Sequence, residues 1–109
     1  HCIIEHSANI DGESLMPLVY SGALSSKLFL DDGSDIKVRA LAFDHYRCAN
    51  EKSDFIHVAL KILSGRNLEQ KTRLSQLVLE RLSGLELVNC SISVEVIDID
   101  RQSYAKVIC

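Results

Sequence analysis

One pattern of apolar spacing occurs twice in this chain, and that repetition limits its fold more than any other feature. A short apolar run, CIIEH (2–6), precedes a segment of helical spacing, SLMPLVYSGALSSKLF (14–29), with Leu15, Leu18, Val19 and Leu28 as its apolar positions. An alternating run, IKVRALAF (36–43), follows. The second half repeats the order with FIHVALKIL (55–63), LEQKTRLSQLVLERL (68–82) and ISVEVIDID (92–100). Cys2 and Ile56 are 54 positions apart, as are Ser14 and Leu68, while Ile36 and Ile92 are 56 apart. A duplicated β-α-β unit accounts for this spacing. At 109 residues the expectation is a single domain, 1–109, with repeats of about 1–50 and 51–109. DDGSD (31–35) and SGRN (64–67) read as turns, and HYRCANEKSD (45–54) as a polar link between the repeats.

The faces of these elements predict how they pack. In the second helix Leu74, Leu77, Val78, Leu82 and Leu85 fall on one side, so that helix covers a sheet. Ile36, Val38, Ala40 and Ala42, then Ile56, Val58, Leu60 and Ile62, then Ile92, Val94 and Val96 form apolar stripes that belong beneath the two helices. The opposite stripes are mixed: Lys37, Arg39, Leu41 and Phe43; His57, Ala59, Lys61 and Leu63; Ser93, Glu95, Ile97 and Ile99. The fold class is therefore α+β, a two-layer α/β arrangement with a four-stranded sheet and two helices on one face. Two helices cover only one side, so the mixed face is expected to pack on other subunits.

Charge and cysteine usage remove several function classes. The formal charge is −3, from 12 Lys+Arg and 15 Asp+Glu, which is no nucleic-acid footprint. Residues 1–50 hold only 4 basic side chains against 7 acidic ones, so the few basic residues of that half stand out. Cys2, Cys48, Cys90 and Cys109 form no C-x-x-C pair, and reduced thiols in a cytoplasmic protein are expected. His6, His45 and His57 lack metal-ligand spacing, so no metal is expected. No run reaches the about 20 apolar residues of a membrane span, so neither a membrane nor nucleic acid is an expected partner.

Three cations carry the binding argument. Asn67 with Gln70 forms a capping-box pattern, so the second helix starts at Leu68 and Arg66 lies just before it. A helix start favours an anion, and an arginine beside it adds a bidentate donor for carboxylate or phosphate. The competing reading pairs Arg66 with an acidic neighbour or leaves it in water. Lys37 and Arg39, two apart on one strand, project from the same side and call for something negative nearby. A charged pair protecting an edge strand is the alternative.

The residues also resemble a known family. CIIEHSANI, VRA followed by HYRCAN, and above all FIHVALKILSGRNLEQK are similar to the 5-carboxymethyl-2-hydroxymuconate Δ-isomerase family of the tautomerase superfamily, along most of the chain. The resemblance implies a homotrimer of duplicated β-α-β subunits and a cofactor-free isomerisation of an unsaturated 2-hydroxy or 2-oxo di- or tricarboxylic acid in aromatic-compound breakdown. It implies that an N-terminal amine shuttles a proton while arginines hold carboxylates and polarise the carbonyl. Arg39 matches the family's strand arginine and Arg66 the arginine of its GR turn, with Lys37 at a further basic position. Family members begin with proline then histidine, whereas this sequence begins HCIIEH. The catalytic amine is thus assigned to His1 or to a proline just before it. His57 is expected to make a structural hydrogen bond at the subunit interface, and Tyr46 and Arg47 to stand at the rim of a site or in a solvated loop.

Two other function classes remain beside the enzyme. One is a catalytically silent trimer that binds small carboxylates. The other is a ferredoxin-like module that stacks RNA bases on strand aromatics, although here only Phe43 and Phe55 are available and aromatics are 6% of residues.

Overall fold

Among the described residues, six elements form in the order the spacing predicts: β1 (Cys2–Ser7), α1 (Gly12–Ser25), β2 (Val38–Phe43), β3 (Asp54–Leu63), α2 (Leu68–Ser83) and β4 (Cys90–Ile99). The computed structural model describes residues 1–49 and 53–109. The repeat boundary at 50/51, and part of the link 45–54, lie outside the described residues. No helix among the described residues is long and apolar enough to cross a membrane.

The sheet order is β2-β1-β3-β4. Within each repeat the two strands pair in parallel, β1 with β2 and β3 with β4, which requires the helical crossover between them. The two repeats join through an antiparallel β1–β3 ladder in which Ile4 faces Val58 and Cys2 faces Leu60. Each repeat therefore contributes one central strand. The central strands carry the fully buried stripe: Ile4, Ile56, Val58 and Leu60 are 0–1% exposed. Leu15, Val19 and Ala23 of α1 and Leu74, Val78 and Leu82 of α2 close over it, with Val38, Ala40, Ile92, Val94 and Val96 packed at the sides. Each such Val, Leu or Ile contributes about 1.5–3 kcal/mol by leaving water. Gly22 lets the two helices touch, since a Cβ there would sit 2.9 Å from the Val78 backbone.

α1 differs from its expected span of 14–29. It starts earlier because the Asp11 side chain accepts from the Glu13 N–H at 3.0 Å. It stops earlier because Ser26 is its C-cap, its N–H donating to the Ala23 carbonyl at 3.2 Å, and Lys27 adopts a positive φ of 63°. Leu28 then reaches the core from a loop rather than from the helix. α2 carries the expected capping box, with Asn67 Oδ1 accepting from Gln70 N at 2.8 Å and Gln70 Oε1 from Asn67 N at 2.9 Å. The strand expected at 36–43 pairs from Val38 by its ladder, although the Cys2 N–H still bonds the Lys37 carbonyl at 2.8 Å.

Among the described residues, none forms a layer on the sheet face opposite the helices. Leu41 is 55% and Ile97 36% exposed there, while Leu63 and Ile99 are half-buried. His57 does not wait for another subunit to bond: its ring meets Ser93 Oγ at 2.7 Å and Glu95 Oε2 at 2.5 Å, both on β4. All four cysteines are free, with Cys2 buried and Cys109 exposed.

Candidate active site

Strand directions bring distant parts of the sequence to one end of the sheet. β1 and β2 run parallel, so both begin there; β3 and β4 run the other way, so both end there. His1, Lys37 and Arg39, the SGRN turn and the chain beyond Ile99 consequently meet. His1 extends the central ladder: its nitrogen donates to the Lys61 carbonyl at 2.8 Å, and its carbonyl accepts from the Lys61 N–H at 2.8 Å. The terminal nitrogen is fixed by backbone hydrogen bonding rather than by a side chain.

As a free amine, that nitrogen titrates below its ordinary value. Removal from water is the largest cause, and the guanidinium of Arg39 and the ammonium of Lys37 add to it. The Cys2 thiol and the Asp35 carboxylate act in the opposite sense. A greater share of the amine is thus neutral near pH 7, the form that accepts a proton.

Beside it lies a cleft of about 220 Å³ whose lining includes His1, Lys37, Lys61, Arg66 and Lys106. Among the described residues Asp35 is the one acidic member of the lining, and both of its oxygens accept from the Leu30 N–H, at 3.1 and 3.3 Å. The ion pairs found among the described residues, His57 with Glu95 and Lys71 with Asp98, involve none of the cleft's cations. Such an excess of positive charge at a walled surface favours an anion carrying more than one carboxylate.

Arg66 is held differently from the helix-start arrangement expected. Its Nη2 donates to the Leu28 carbonyl at 2.6 Å, and its guanidinium lies 5.9 Å from the centre of the Phe29 ring. The Gln70 N–H at the helix start is taken by Asn67. Arg66 therefore faces the His1 cleft from the α1–β2 side. The turn that delivers it needs a glycine, because Gly65 has φ of 125°. Arg39 donates from Nη1 to His1 Nδ1 at 3.2 Å, so it reaches the site through the ring of His1.

Other candidates lie apart. Tyr46 packs on Phe55 with ring centres 5.0 Å apart, near Phe43, at the opposite end of the sheet. From Phe55 to Lys61 is about 20 Å along β3. Within one chain Tyr46 therefore does not border the cleft, and Arg47 is exposed. His57 also stands away from the lining. Conversely, Lys61, Tyr104 and Lys106 line the cleft without having been singled out from sequence. Lys61 was legible as a polar position on the mixed stripe; Tyr104 and Lys106 follow the last strand with no periodicity to place them.

The chain matches the family described as 5-carboxymethyl-2-hydroxymuconate isomerase over residues 1–106. No curated protein matches it significantly in sequence. Among solved structures, a 5-carboxymethyl-2-hydroxymuconate isomerase from Deinococcus radiodurans R1 aligns with TM-score 0.76 and 20% identity, over 97% of this chain and 87% of that one. A 5-carboxymethyl-2-hydroxymuconate delta-isomerase aligns with TM-score 0.67 and 17% identity, over 100% and 87%. A fused 4-OT wild-type symmetric trimer aligns with TM-score 0.79 and 12% identity, over 96% and 89%. At these identities the structural likeness establishes the fold.

Proposed function

The chain belongs to the 5-carboxymethyl-2-hydroxymuconate isomerase family, and from that membership we propose a cofactor-independent isomerase acting on an unsaturated 2-hydroxy or 2-oxo di- or tricarboxylic acid, as in aromatic-compound catabolism. The observation that carries this reading is the half-buried terminal nitrogen, lowered in pKa, beside a cleft rich in cations. Lys37 and Arg66 hold the carboxylates. The neutral amine, at His1 or on a proline just before it, accepts the proton of the 2-hydroxyl. The dienolate electrons move along the chain to the far alkene carbon, and the amine returns the same proton there, leaving a conjugated 2-oxo acid. Arg39 stabilises the negative charge that grows on the oxygen meanwhile.

The test is direct. With 2-hydroxymuconate as substrate, the purified protein should convert the dienol to its conjugated oxo isomer, followed by ultraviolet absorbance, with no added metal or cofactor and equally in the presence of chelator. Binding of the acid with no turnover above the buffer rate would reduce the protein to a carboxylate binder.

The assembly proposed is a homotrimer built on the open sheet face, which supplies a reason for Leu41 and Ile97 to be apolar and uncovered. The fused 4-OT neighbour is a symmetric trimer, which supports the same arrangement here. Light scattering at micromolar concentration should give the mass of three 12.1 kDa chains. A stable monomer would leave the apolar half of that face without a purpose.

A further inference from the structure

Both ring nitrogens of His1 are engaged. Arg39 Nη1 lies 3.2 Å from Nδ1, and the Tyr104 hydroxyl lies 2.9 Å from Nε2. A guanidinium can only donate, so Nδ1 is the acceptor and the proton of the neutral ring sits on Nε2. Nε2–H then donates to the oxygen of Tyr104. The phenolic hydrogen of Tyr104 is left over, and among the described residues no acceptor takes it. This logic concerns the ring alone and holds whether the His1 nitrogen is an amine or an amide.

Tyr104 is also firmly placed. Its N–H bonds the Asp100 carbonyl at 3.1 Å, closing a turn directly after β4. That turn is tied to the SGRN turn by Arg101, whose N–H donates to Ser64 Oγ at 3.1 Å and whose Nε donates to the Ser64 carbonyl at 2.9 Å. The ring stands edge-on to His1, with centres 6.2 Å apart, and borders the same cleft as Arg66 and Lys61. A side chain anchored in this way loses little freedom when a ligand arrives.

We propose that Tyr104 is a ligand-binding donor of this cleft, giving its phenolic hydrogen to the 2-oxo or 2-hydroxy oxygen of the bound acid, a role that rests on reading the cleft as the substrate site. The division of labour follows from donor strength. Carboxylates are taken by the ammonium and guanidinium groups, which bind them more strongly than a neutral hydroxyl does. A phenol suits the uncharged oxygen at carbon 2, where charge develops only as the proton moves. Arg39 and Tyr104 then form one relay-free chain of donors, guanidinium to imidazole to phenol to ligand, that fixes which oxygen is recognised.

Calorimetric titration with 2-oxoadipate and with adipate separates this role from the site reading. The parent protein should bind 2-oxoadipate about tenfold more tightly than adipate, the effect of one well-made hydrogen bond. Tyr104→Phe, which keeps the ring, should lose that preference and retain the parent's affinity for adipate. Arg66→Ala should weaken both acids. In tyrosine-labelled protein the ring carbon bearing the Tyr104 hydroxyl should shift on adding 2-oxoadipate and stay in place on adding adipate. If Tyr104→Phe keeps the preference while Arg66→Ala weakens both acids, the Tyr104 role is overturned and the site reading stands. If Tyr104→Phe loses affinity for both acids alike, Tyr104 is merely structural and the proposal is overturned. Failure of the parent to bind either acid overturns the proposal and the site reading together.

Discussion

Converting the chain's terminal amine to an amide is expected to bring 2-hydroxymuconate turnover down to the background rate. An amide nitrogen has no basic lone pair, so the proton has nowhere to go, whereas the rest of the cleft is unchanged and carboxylate binding should persist. Acetylation of the amine, or extension of the chain, performs the conversion. The same nitrogen sets the pH dependence. Burial and the neighbouring cations lower its pKa from the ordinary α-amino value, so kcat/KM should rise with pH and reach its plateau at a lower pH than an unperturbed amine would give. The sign for stability is the same. Between the lowered value and the ordinary one the unfolded chain binds more protons than the folded one, so this group's contribution is present above the ordinary pKa and is lost as pH falls through the lowered one. Undiminished turnover by the blocked protein would rule out the amine as base.

Arg39→Ala carries the second large effect. Removing the guanidinium charge that stabilises a developing oxyanion costs about 2.7–4 kcal/mol, a factor of roughly 10² to 10³ in kcat. The loss should fall on kcat more than on KM, since Lys37 and Arg66 still hold the carboxylates. It should also displace the pH profile upward, because one of the cations lowering the amine's pKa is gone. Arg39 is exposed on the edge strand β2, so the melting midpoint should hardly move. Arg39→Lys restores the charge without the planar fork that meets His1 Nδ1, and only partial recovery is expected. A kcat within twofold of the parent for Arg39→Ala would remove Arg39 from the chemistry.

Side-chain periodicity made the elements legible, because a buried face leaves its spacing in the sequence. Ile56, Val58, Leu60 and Ile62 alternate and are all buried; Leu74, Val78 and Leu82 recur at helical spacing and are buried too. The Asn67–Gln70 capping box was readable because both partners are local. The end of α1 was not. Leu28 continues the helical spacing, but Ser26 caps the helix and Lys27 turns the backbone, so Leu28 packs on the core from outside it. The setting of Arg66 was equally hidden: its position before α2 was plain, while the carbonyl it bonds belongs to Leu28, 38 residues away.

By itself the sequence determined two β-α-β repeats, the apolar face of each strand and helix, and a surplus of cations at Lys37, Arg39 and Arg66. Those follow from local spacing and from residue chemistry, which neighbours in the chain specify. Tertiary structure alone decided that β1 and β3 lie side by side and antiparallel, since hydrogen-bonded strand order leaves no mark in periodicity. That one pairing sets His1 against Lys61, and the parallel partners of each central strand bring Arg39 and Tyr104 to the same end. The cleft exists because the first strands begin where the later ones finish.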